Sequence, residues 1–355
     1  MMYLFIVCLF LLVFVLQRGG AEWSLSHLHY ETECDTLLAE PEQVITLTSQ
    51  IENQSLIPVL YVHVTESLPP ATKLLEDQNW INTHTRHSKN EVNVKDVMYL
   101  LPHSRRTSKL HFVLPRRGWY QLGRTTVGTG DILGLRESFR MEKNSLELVV
   151  IPKRCELPSI LHSLGGFLGD ISVRRFILED PILTIGFRDY TGSEPMKAIS
   201  WSQSARTGRL QVKQYDYTVD ANVCVILNTE NGTEDEIEHC YSITRTVCEE
   251  LESKGIPYEF HTNGDLTGPV DSIRWVAEGL GTQHLNTILY GLGRGNCSCV
   301  GTMEQLIHRA MHRTRSNQGY IVITPPLSDQ NRWITERLHR DGSTLCILTG
   351  QEGAI

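Results

Sequence analysis

The sequence predicts two folded parts of different class, an all-β part followed by an α/β part. In residues 22–151, short segments alternate apolar and polar side chains without a strong helical period, a pattern typical of strands with one buried face. After residue 217, apolar strand-like runs alternate with amphipathic helical stretches, which is typical of a parallel sheet covered by helices. We therefore expect a small β-sandwich at 22–151 and a doubly wound α/β domain at 217–355.

Length and composition set the broad class of the protein. With 355 residues the chain can form two ordinary domains, and its 41% hydrophobic and 21% charged residues are those of a globular protein. The net charge of -8 argues against non-specific nucleic-acid binding, which depends on surplus Lys and Arg. The nine cysteines lack the spacing of a secreted disulfide scaffold, so we expect reduced thiols and interpret Cys297 and Cys299 as a thiol pair in a loop.

An uninterrupted apolar run covers residues 1–16. As a helix it would span about 24 Å, close to the roughly 30 Å hydrocarbon core of a bilayer. A cleaved signal peptide is the alternative, but such peptides usually begin with basic residues, and none precedes the run. Because Arg18 follows the run, the positive-inside rule places the rest of the chain in the cytoplasm. We therefore predict a single-pass membrane anchor at residues 1–18.

Five alternating segments predict the β-sandwich. In the second of them, Leu60, Val62 and Val64 are expected to point to the same face. Residues 76–96 carry little periodicity, and we predict a long loop there. Short strands separated by Gly, Pro and Asn turns suggest a sandwich of immunoglobulin-like type. The five predicted strands are residues 44–51, 59–66, 110–114, 119–122 and 146–151.

The α/β domain lies beyond a predicted linker at residues 152–183. A glycine-rich stretch in this region lacks the Gly-Lys-Ser/Thr ending of a phosphate-binding loop, so a linker is the better interpretation. Further on, apolar positions three and four residues apart predict amphipathic helices. The predicted helices are residues 236–254, 302–315 and 328–340, and the predicted strands are 222–227, 256–260, 320–324 and 344–348.

The most distinctive stretch is residues 184–216, which we call the signature segment. A turn at Gly192 precedes a short helix with Trp201, and Gly208 stands where a helix C-terminal cap is expected. Arginines and an aspartate near a tryptophan are more often a structural ion-pair network than a catalytic site, so we interpret the segment as a structural joint that could also dock a partner. The residues concerned are Arg188, Asp189, Tyr190, Trp201, Ser204, Arg206, Gly208 and Arg209.

Three motifs of the signature segment, Arg-x-Tyr at 188–190, Ile-x-Trp at 199–201 and Ser-Ala-Arg-x-Gly at 204–208, resemble those of the domain of unknown function 58 family. Its members are membrane-anchored proteins of bacteria and archaea. Residues 116–123 and 130–135 are similar to two further family segments, the second with Ile-Leu where the family has Pro-Phe. The resemblance covers nearly the whole chain. It implies an accessory protein, because family members are often associated with MoxR-type AAA+ ATPases.

The order of elements after residue 217 resembles a von Willebrand factor A domain. The metal site of such domains needs an Asp-x-Ser-x-Ser loop after the first strand and an Asp after a later strand. In this chain Asn228, Glu230 and Gly232 occupy the loop positions, and Thr324 stands where the later acid is expected. This degenerate metal-site loop, which also contains Thr229, offers one carboxylate and no paired hydroxyls, so it fits Mg²⁺ poorly. We expect neither a metal nor another cofactor.

These observations together predict a membrane-anchored, non-enzymatic accessory or scaffold protein. The resemblance implies a protein partner, a MoxR-type AAA+ ATPase, and a role in the assembly or maturation of protein complexes. The first alternative is a metal-assisted adhesion or ligand-recognition module. The second is an enzyme that uses the arginines of the signature segment on an anionic substrate, although no nucleophile with an obvious histidine partner lies in that segment.

Overall fold

The computed structural model describes most of the two folded parts. The described residues are 20–75, 83–130, 136–155, 164–167, 169, 184–192, 194–215, 222–268, 271–313, 319–326 and 345–350. The chain divides into two compact units, residues 1–153 with 292–294, and residues 154–291 with 295–355. The predicted membrane anchor at 1–18 lies outside the described residues. Among the helices that are described, none has the length and apolar character needed to cross a membrane.

Two sheets make up the first unit. One has the strand order β1-β3-β8-β5 and the other the order β2-β10-β9-β4-β7-β6. Neighbouring strands are antiparallel, except that β2 and β10 are parallel. The strands are β1 (Leu28–Cys34), β2 (Leu38–Ala39), β3 (Val44–Asn53), β4 (Val59–Leu68), β5 (Lys73–Leu74), β6 (Thr83–His87), β7 (Val92–Leu100), β8 (Arg105–Val113), β9 (Gly118–Gly130) and β10 (Glu137–Val150).

The core of the first unit lies between the two sheets. Strand β3 alternates buried and half-buried residues along most of its length, because successive side chains of a strand point to opposite faces. Its buried Ile45 and Leu47 pack in one cluster with Leu122 of β9 and Leu148 of β10, which belong to the other sheet. Two sheets packed through their apolar faces form a β-sandwich. The prediction of a β-sandwich is therefore confirmed.

Two details of the predicted sandwich are wrong. Leu60 does not share a face with Val62 and Val64, and it is 62% exposed, because the pairing of β4 with β7 shifts register between residues 59 and 62. The predicted loop at 76–96 contains β6 and the start of β7 in its described part. Asp96 is buried among the inward-facing residues of β7. Because it is polar, it interrupts the alternation of apolar and polar residues in the sequence of this strand.

The second unit contains a hairpin and an α/β sheet. The elements of the hairpin are β11 (Thr184–Asp189), α1 (Trp201–Thr207) and β12 (Gln211–Tyr215). The remaining elements are β13 (Val223–Leu227), α2 (Glu234–Ser253), β14 (Tyr258–Thr262), β15 (Gly264–Leu266), β16 (Trp275–Gly279), α3 (Thr282–Arg294), β17 (Gly295–Cys299), α4 (Met303–Arg313), β18 (Gly319–Thr324) and β19 (Leu345–Thr349).

The larger sheet of the second unit has the order β16-β14-β13-β18-β19. Strands β14, β13, β18 and β19 are parallel, and β16 is antiparallel at the edge. All five residues of β13 are buried, as expected from the apolar run at 222–227. The carboxyl ends of the parallel strands meet at one end of the sheet, where residues 228–232 follow β13.

The helices and strands of this unit differ from the prediction in several places. Helix α2 begins two residues before its predicted start, because Thr233 is its N-cap and forms a capping box with Glu236. Strand β14 ends at Thr262, whereas the prediction placed its end at 260. Helix α4 covers Met303–Arg313, and its predicted end at 315 lies outside the described residues. Helix α3 and strands β15 to β17 were not predicted. The predicted helix at 328–340 lies outside the described residues.

Candidate functional site

The signature segment folds as a β-hairpin that carries a short helix. Strands β11 and β12 are antiparallel, with Arg188 opposite Val212. Buried Ile199 forms a bridge to Val212 just before α1. Helix α1 ends at Gly208, whose φ of 69° lies in the left-handed region, where glycine carries no steric cost. The prediction that Gly208 caps a helix is confirmed.

Ser204 fastens helix α1 to strand β12. Its hydroxyl donates to the carbonyl oxygen of Ser200 (2.8 Å) and accepts from the backbone N–H of Gln211 (2.9 Å). The N–H of Ser200 donates in turn to the carbonyl oxygen of Gln211 (2.8 Å), and the amide of Gln211 donates to the carboxylate of Asp189. Ser204 and Asp189 therefore fix the shape of the hairpin.

Arg188 is part of a charged network around Glu194, in which Arg188 is exposed and the side chain of Glu194 is 11% exposed. The Nη1 atom of Arg188 lies 2.6 Å from Oε1 of Glu194. The N–H and the hydroxyl of Thr191 also donate to this carboxylate, at 3.1 and 2.8 Å. These contacts lower the pKa of Glu194 to about 2, and the hydrogen bond from the Thr191 hydroxyl is the largest cause. The network holds the turn between β11 and α1.

Several other side chains of the signature segment face solvent. Trp201 is 61% exposed, and α1 contains no buried residue. The ion pair of this segment, Arg188 with Glu194, lies in the turn before α1. Tyr190 is half-buried, and its N–H donates to the carbonyl oxygen of Leu210 (2.9 Å). Exposed apolar and cationic residues of the segment are Phe187, Met196, Lys197, Arg206, Arg209, Leu210 and Lys213.

The degenerate metal-site loop is the second predicted site, and a buried hydrogen-bond network occupies it. The amide nitrogen of Asn228 donates to the hydroxyl of Thr324 (2.9 Å). The amide oxygen of Asn228 accepts from Nδ2 of Asn263 (2.8 Å) and from the N–H of Glu230 (3.1 Å). The N–H of Thr229 donates to Oδ1 of Asn263 (2.9 Å). We call these five residues the Asn228 network.

One further hydrogen bond and one close approach of the backbone hold the loop in place. The carboxylate of Glu230 accepts from the N–H of Met303 (2.6 Å), the first residue of α4. The positive end of the helix dipole stabilises a negative charge at this position. A Cβ on Gly232 would lie 2.5 Å from Cγ of Pro325, so only glycine fits there without rearrangement. Three oxygen atoms that a Mg²⁺ ion could use here thus take part in hydrogen bonds within the protein, namely Oδ1 of Asn228, Oε2 of Glu230 and the hydroxyl of Thr324.

Asn263 is the member of this site that the sequence analysis missed. It follows β14 directly, as Asn228 follows β13, and it is 2% exposed. Its Nδ2 also donates to the carbonyl oxygen of Gly301 (2.9 Å). The available signal was its position, because polar residues at the carboxyl ends of neighbouring parallel strands meet.

A third polar cluster lies inside the β-sandwich and had no counterpart in the sequence analysis. The hydroxyls of Tyr30 and Ser49 donate to Oε1 of Glu66, the former at 3.2 Å. The hydroxyl of Ser108 donates to Oδ2 of Asp96 (3.1 Å). These residues line a small cavity of about 10 Å³, close to the space for one water molecule. Burial is the main cause that raises the pKa of Glu66.

Cys297 and Cys299 lie on strand β17 and not in the predicted loop. Both are exposed, and they are two residues apart, so they project from the same face of the strand. The Sγ atom of Cys297 lies 3.8 Å from Oε1 of Glu238.

Comparisons with known proteins do not assign a family. No family model matches the chain, and no curated protein matches it. A CARDB domain from Pyrococcus furiosus matches with 10% identity over 35% of this chain and 91% of that chain, with a TM-score of 0.23. A cohesin module from a Clostridium perfringens family 33 glycoside hydrolase matches with 13% identity over 35% of this chain and 96% of that chain, with a TM-score of 0.25. A PapD-like domain of human CEP192 matches with 13% identity over 34% of this chain and 84% of that chain, with a TM-score of 0.22. Similarity at this level carries no argument about function.

Proposed function

We propose that this protein is a non-enzymatic docking module that binds a protein partner through the signature segment. The observation that carries the proposal is the exposure of Trp201, at 61%, on a hairpin whose shape is fixed by hydrogen bonds. An exposed tryptophan on a rigid support is the kind of residue that anchors protein interfaces, because it buries a large area at a low entropic cost.

Charge favours an acidic partner. The signature segment, residues 184–216, contains five cations and three carboxylates, so its net charge is +2 in a chain whose net charge is -8. Arg206 and Arg209 are exposed beside α1. A cationic surface speeds encounter with an acidic one and selects against basic partners. The resemblance to the domain of unknown function 58 family suggests a MoxR-type AAA+ ATPase as this partner, in the assembly or maturation of protein complexes.

We also infer that the second unit is a von Willebrand factor A-like, doubly wound domain that works without a metal in its loop. The strand order β16-β14-β13-β18-β19, with an antiparallel edge strand, supports this inference. The Asn228 network supports the metal-free part, because amide groups stand where a cation would require carboxylates and hydroxyls. With the predicted anchor at 1–18, the folded units would act at the cytoplasmic face of a membrane.

Site-specific photo-crosslinking in intact native membranes tests the proposed function. A photoreactive phenylalanine analogue is placed at position 201 in the full chain, and Tyr99, which is 64% exposed in the first unit, provides the matched control position. We expect the analogue at 201 to crosslink an AAA+ ATPase in a nucleotide-dependent way, and the analogue at 99 not to do so.

Substitutions give the energetic control. Trp201→Ala is expected to lower recovery of the ATPase with a tagged chain at least about tenfold, as loss of an interface hot spot does, while Tyr99→Ala leaves it unchanged. Equal recovery with both variants, or membranes that retain other complexes but yield no ATPase, would contradict the proposal.

A further inference from the structure

Strands β13 and β14 place three metal-binding side chains together on one face of the larger sheet. Cys224 lies directly opposite Glu259 in the parallel pairing, and His261 lies two residues beyond Glu259, so all three project from the same face. Their ligand atoms lie within 4.8 Å of one another. Their exposed fractions are 0%, 6% and 3%. We call these residues the Cys224 cluster.

A hydrophobic core does not explain this cluster. Cys224 belongs to a core cluster with Met303 and Leu306 of α4, yet its neighbours across the sheet are an acid and an imidazole. The Nε2 atom of His261 is buried and makes no hydrogen bond among the described residues, although it lies 3.5 Å from Oε2 of Glu259. A buried polar atom without a hydrogen bond is costly, and a ligand at this point would remove that cost.

We propose that Cys224, Glu259 and His261 bind one divalent transition-metal ion of the Zn²⁺ class. A thiolate, an imidazole and a carboxylate are donors that Zn²⁺ accepts in tetrahedral sites. With metal–ligand distances of about 2.0 to 2.3 Å, two ligand atoms of such a site lie about 3.3 to 3.7 Å apart. The 3.5 Å between His261 and Glu259 fits this spacing, and a movement of about 1 Å brings the remaining pairs within it.

The charges also balance. Binding displaces the proton of the Cys224 thiol, so the thiolate and the carboxylate of Glu259 offset the two positive charges of the ion. Three protein ligands leave the fourth position for water or another small donor. The donor set excludes Mg²⁺ and Ca²⁺, which need oxygen ligands. This site is separate from the loop after β13 and does not depend on the proposed docking function.

Among the described residues, two exposed groups would bind metal on their own and must be removed first. His308 and His312 are one turn apart on α4, with their Nε2 atoms 3.1 Å apart, and Cys297 and Cys299 are exposed thiols. The reference protein for the test is therefore the full chain with His312→Ala, Cys297→Ser and Cys299→Ser. All three changes are at exposed positions, so we expect the fold to be retained.

Cobalt titration of the chelator-treated, reduced reference protein tests the proposal. We expect one equivalent of Co²⁺ to give tetrahedral visible bands and a thiolate charge-transfer band in the near ultraviolet, and equimolar Zn²⁺ to remove both. Cys224→Ala should abolish the charge-transfer band. Glu259→Gln and His261→Gln should each weaken Co²⁺ binding at least about 100-fold, because each removes a ligand. The matched control is Cys248→Ala, since Cys248 is an equally buried thiol on α2.

Thermal unfolding separates loss of binding from loss of folding. Zn²⁺ should raise Tm of the reference protein and of Cys248→Ala, but not of Glu259→Gln, because a ligand stabilises only the state that binds it. Glu259→Gln keeps the shape of the side chain, so it remains informative even where Cys224→Ala fails to fold. Absence of a thiolate band in the reference protein, or the same band and affinity in Glu259→Gln, would overturn the proposal and leave an adventitious ion only.

Discussion

The second unit contains two polar networks that are alike in chemistry and differ in exposure. In the Asn228 network, side-chain amides with 1% to 2% exposure satisfy each other and the neighbouring backbone. In the signature hairpin, the half-buried Ser204 and Glu194 make similar hydrogen bonds close to solvent. Water can replace a lost partner only in the second case. The buried network therefore sets the stability of the sheet end, whereas the exposed network sets the shape of a surface.

The largest effect is expected from Asn228→Ala. This change leaves Thr324, Asn263 and the N–H of Glu230 without the Asn228 amide, and a buried group without its partner costs about 1 to 3 kcal/mol. We expect a loss of about 3 kcal/mol in the free energy of local opening, measured by native-state hydrogen exchange of the β13 amides. In the double variant Asn228→Ala with Asn263→Ala, the loss should be smaller than the sum of the single losses, because the two side chains share a hydrogen bond. Simple additivity would show that they do not act as one network.

The buried cluster around Glu66 in the β-sandwich contains a carboxylate and sharpens the comparison. Its contribution to stability should depend on pH, whereas that of a network of side-chain amides should not. The pKa of Glu66 is raised above its ordinary value of 4.5, mainly by burial. The folded state therefore holds a proton that the unfolded state loses, so stability is full below pH 4.5 and falls as pH rises to the raised pKa. For every pH unit that separates the folded pKa from the unfolded pKa, the loss of stability is about 1.4 kcal/mol.

Glu66→Gln tests whether the ionisation of Glu66 makes stability fall as pH rises. Glutamine keeps an oxygen that can accept from Tyr30 and Ser49 but carries no charge. Urea unfolding of the full chain above pH 4.5 should show the variant losing less stability with rising pH than the natural chain. Asn228→Ala provides the contrast, because its effect should be the same at each pH. A steeper loss of stability in Glu66→Gln would contradict the assignment.

The regions that the sequence predicted well are those in which local pattern alone decides the structure. Strand β13 is an apolar run buried on both faces, and Gly208 ends a helix where a left-handed residue is required. The contact of Asn228 with Asn263 instead depends on which residues of β13 and β14 are opposite each other, Leu227 with Thr262, and no local pattern fixes that register. The Cys224 cluster was missed for the same reason. The exposure of Trp201 was also unpredictable, because an apolar residue in a short helix packs or points outward according to distant neighbours.

Within the hairpin, Ser204→Ala should have a smaller effect than the change at Asn228. The variant loses the acceptor of the Gln211 N–H and the donor to Ser200, but water can take part of their place. We expect a local loss of about 1 kcal/mol, seen as about fivefold faster hydrogen exchange of the Gln211 amide. The matched control is Ser202→Ala in the same helix, where the side chain is exposed. Equal exchange rates of the Gln211 amide in both variants would mean that the Ser204 hydroxyl does not hold the hairpin.

The smallest effect concerns Glu194 and shows in titration rather than in global stability. Its pKa of about 2 is lowered first by the Thr191 hydroxyl and only later in rank by Arg188. Thr191→Val should therefore move the midpoint of Glu194 towards 4.5 by more than Arg188→Gln does, as followed by NMR of the side-chain carboxylate. Because the folded pKa is lowered, the contribution of this group to stability is present above pH 4.5 and is lost as pH falls through 2. A larger change of the midpoint in Arg188→Gln would show that the ion pair dominates. The stability of the turn before α1 would then fall with added salt, because salt screens an ion pair at the surface more than it weakens a hydroxyl hydrogen bond.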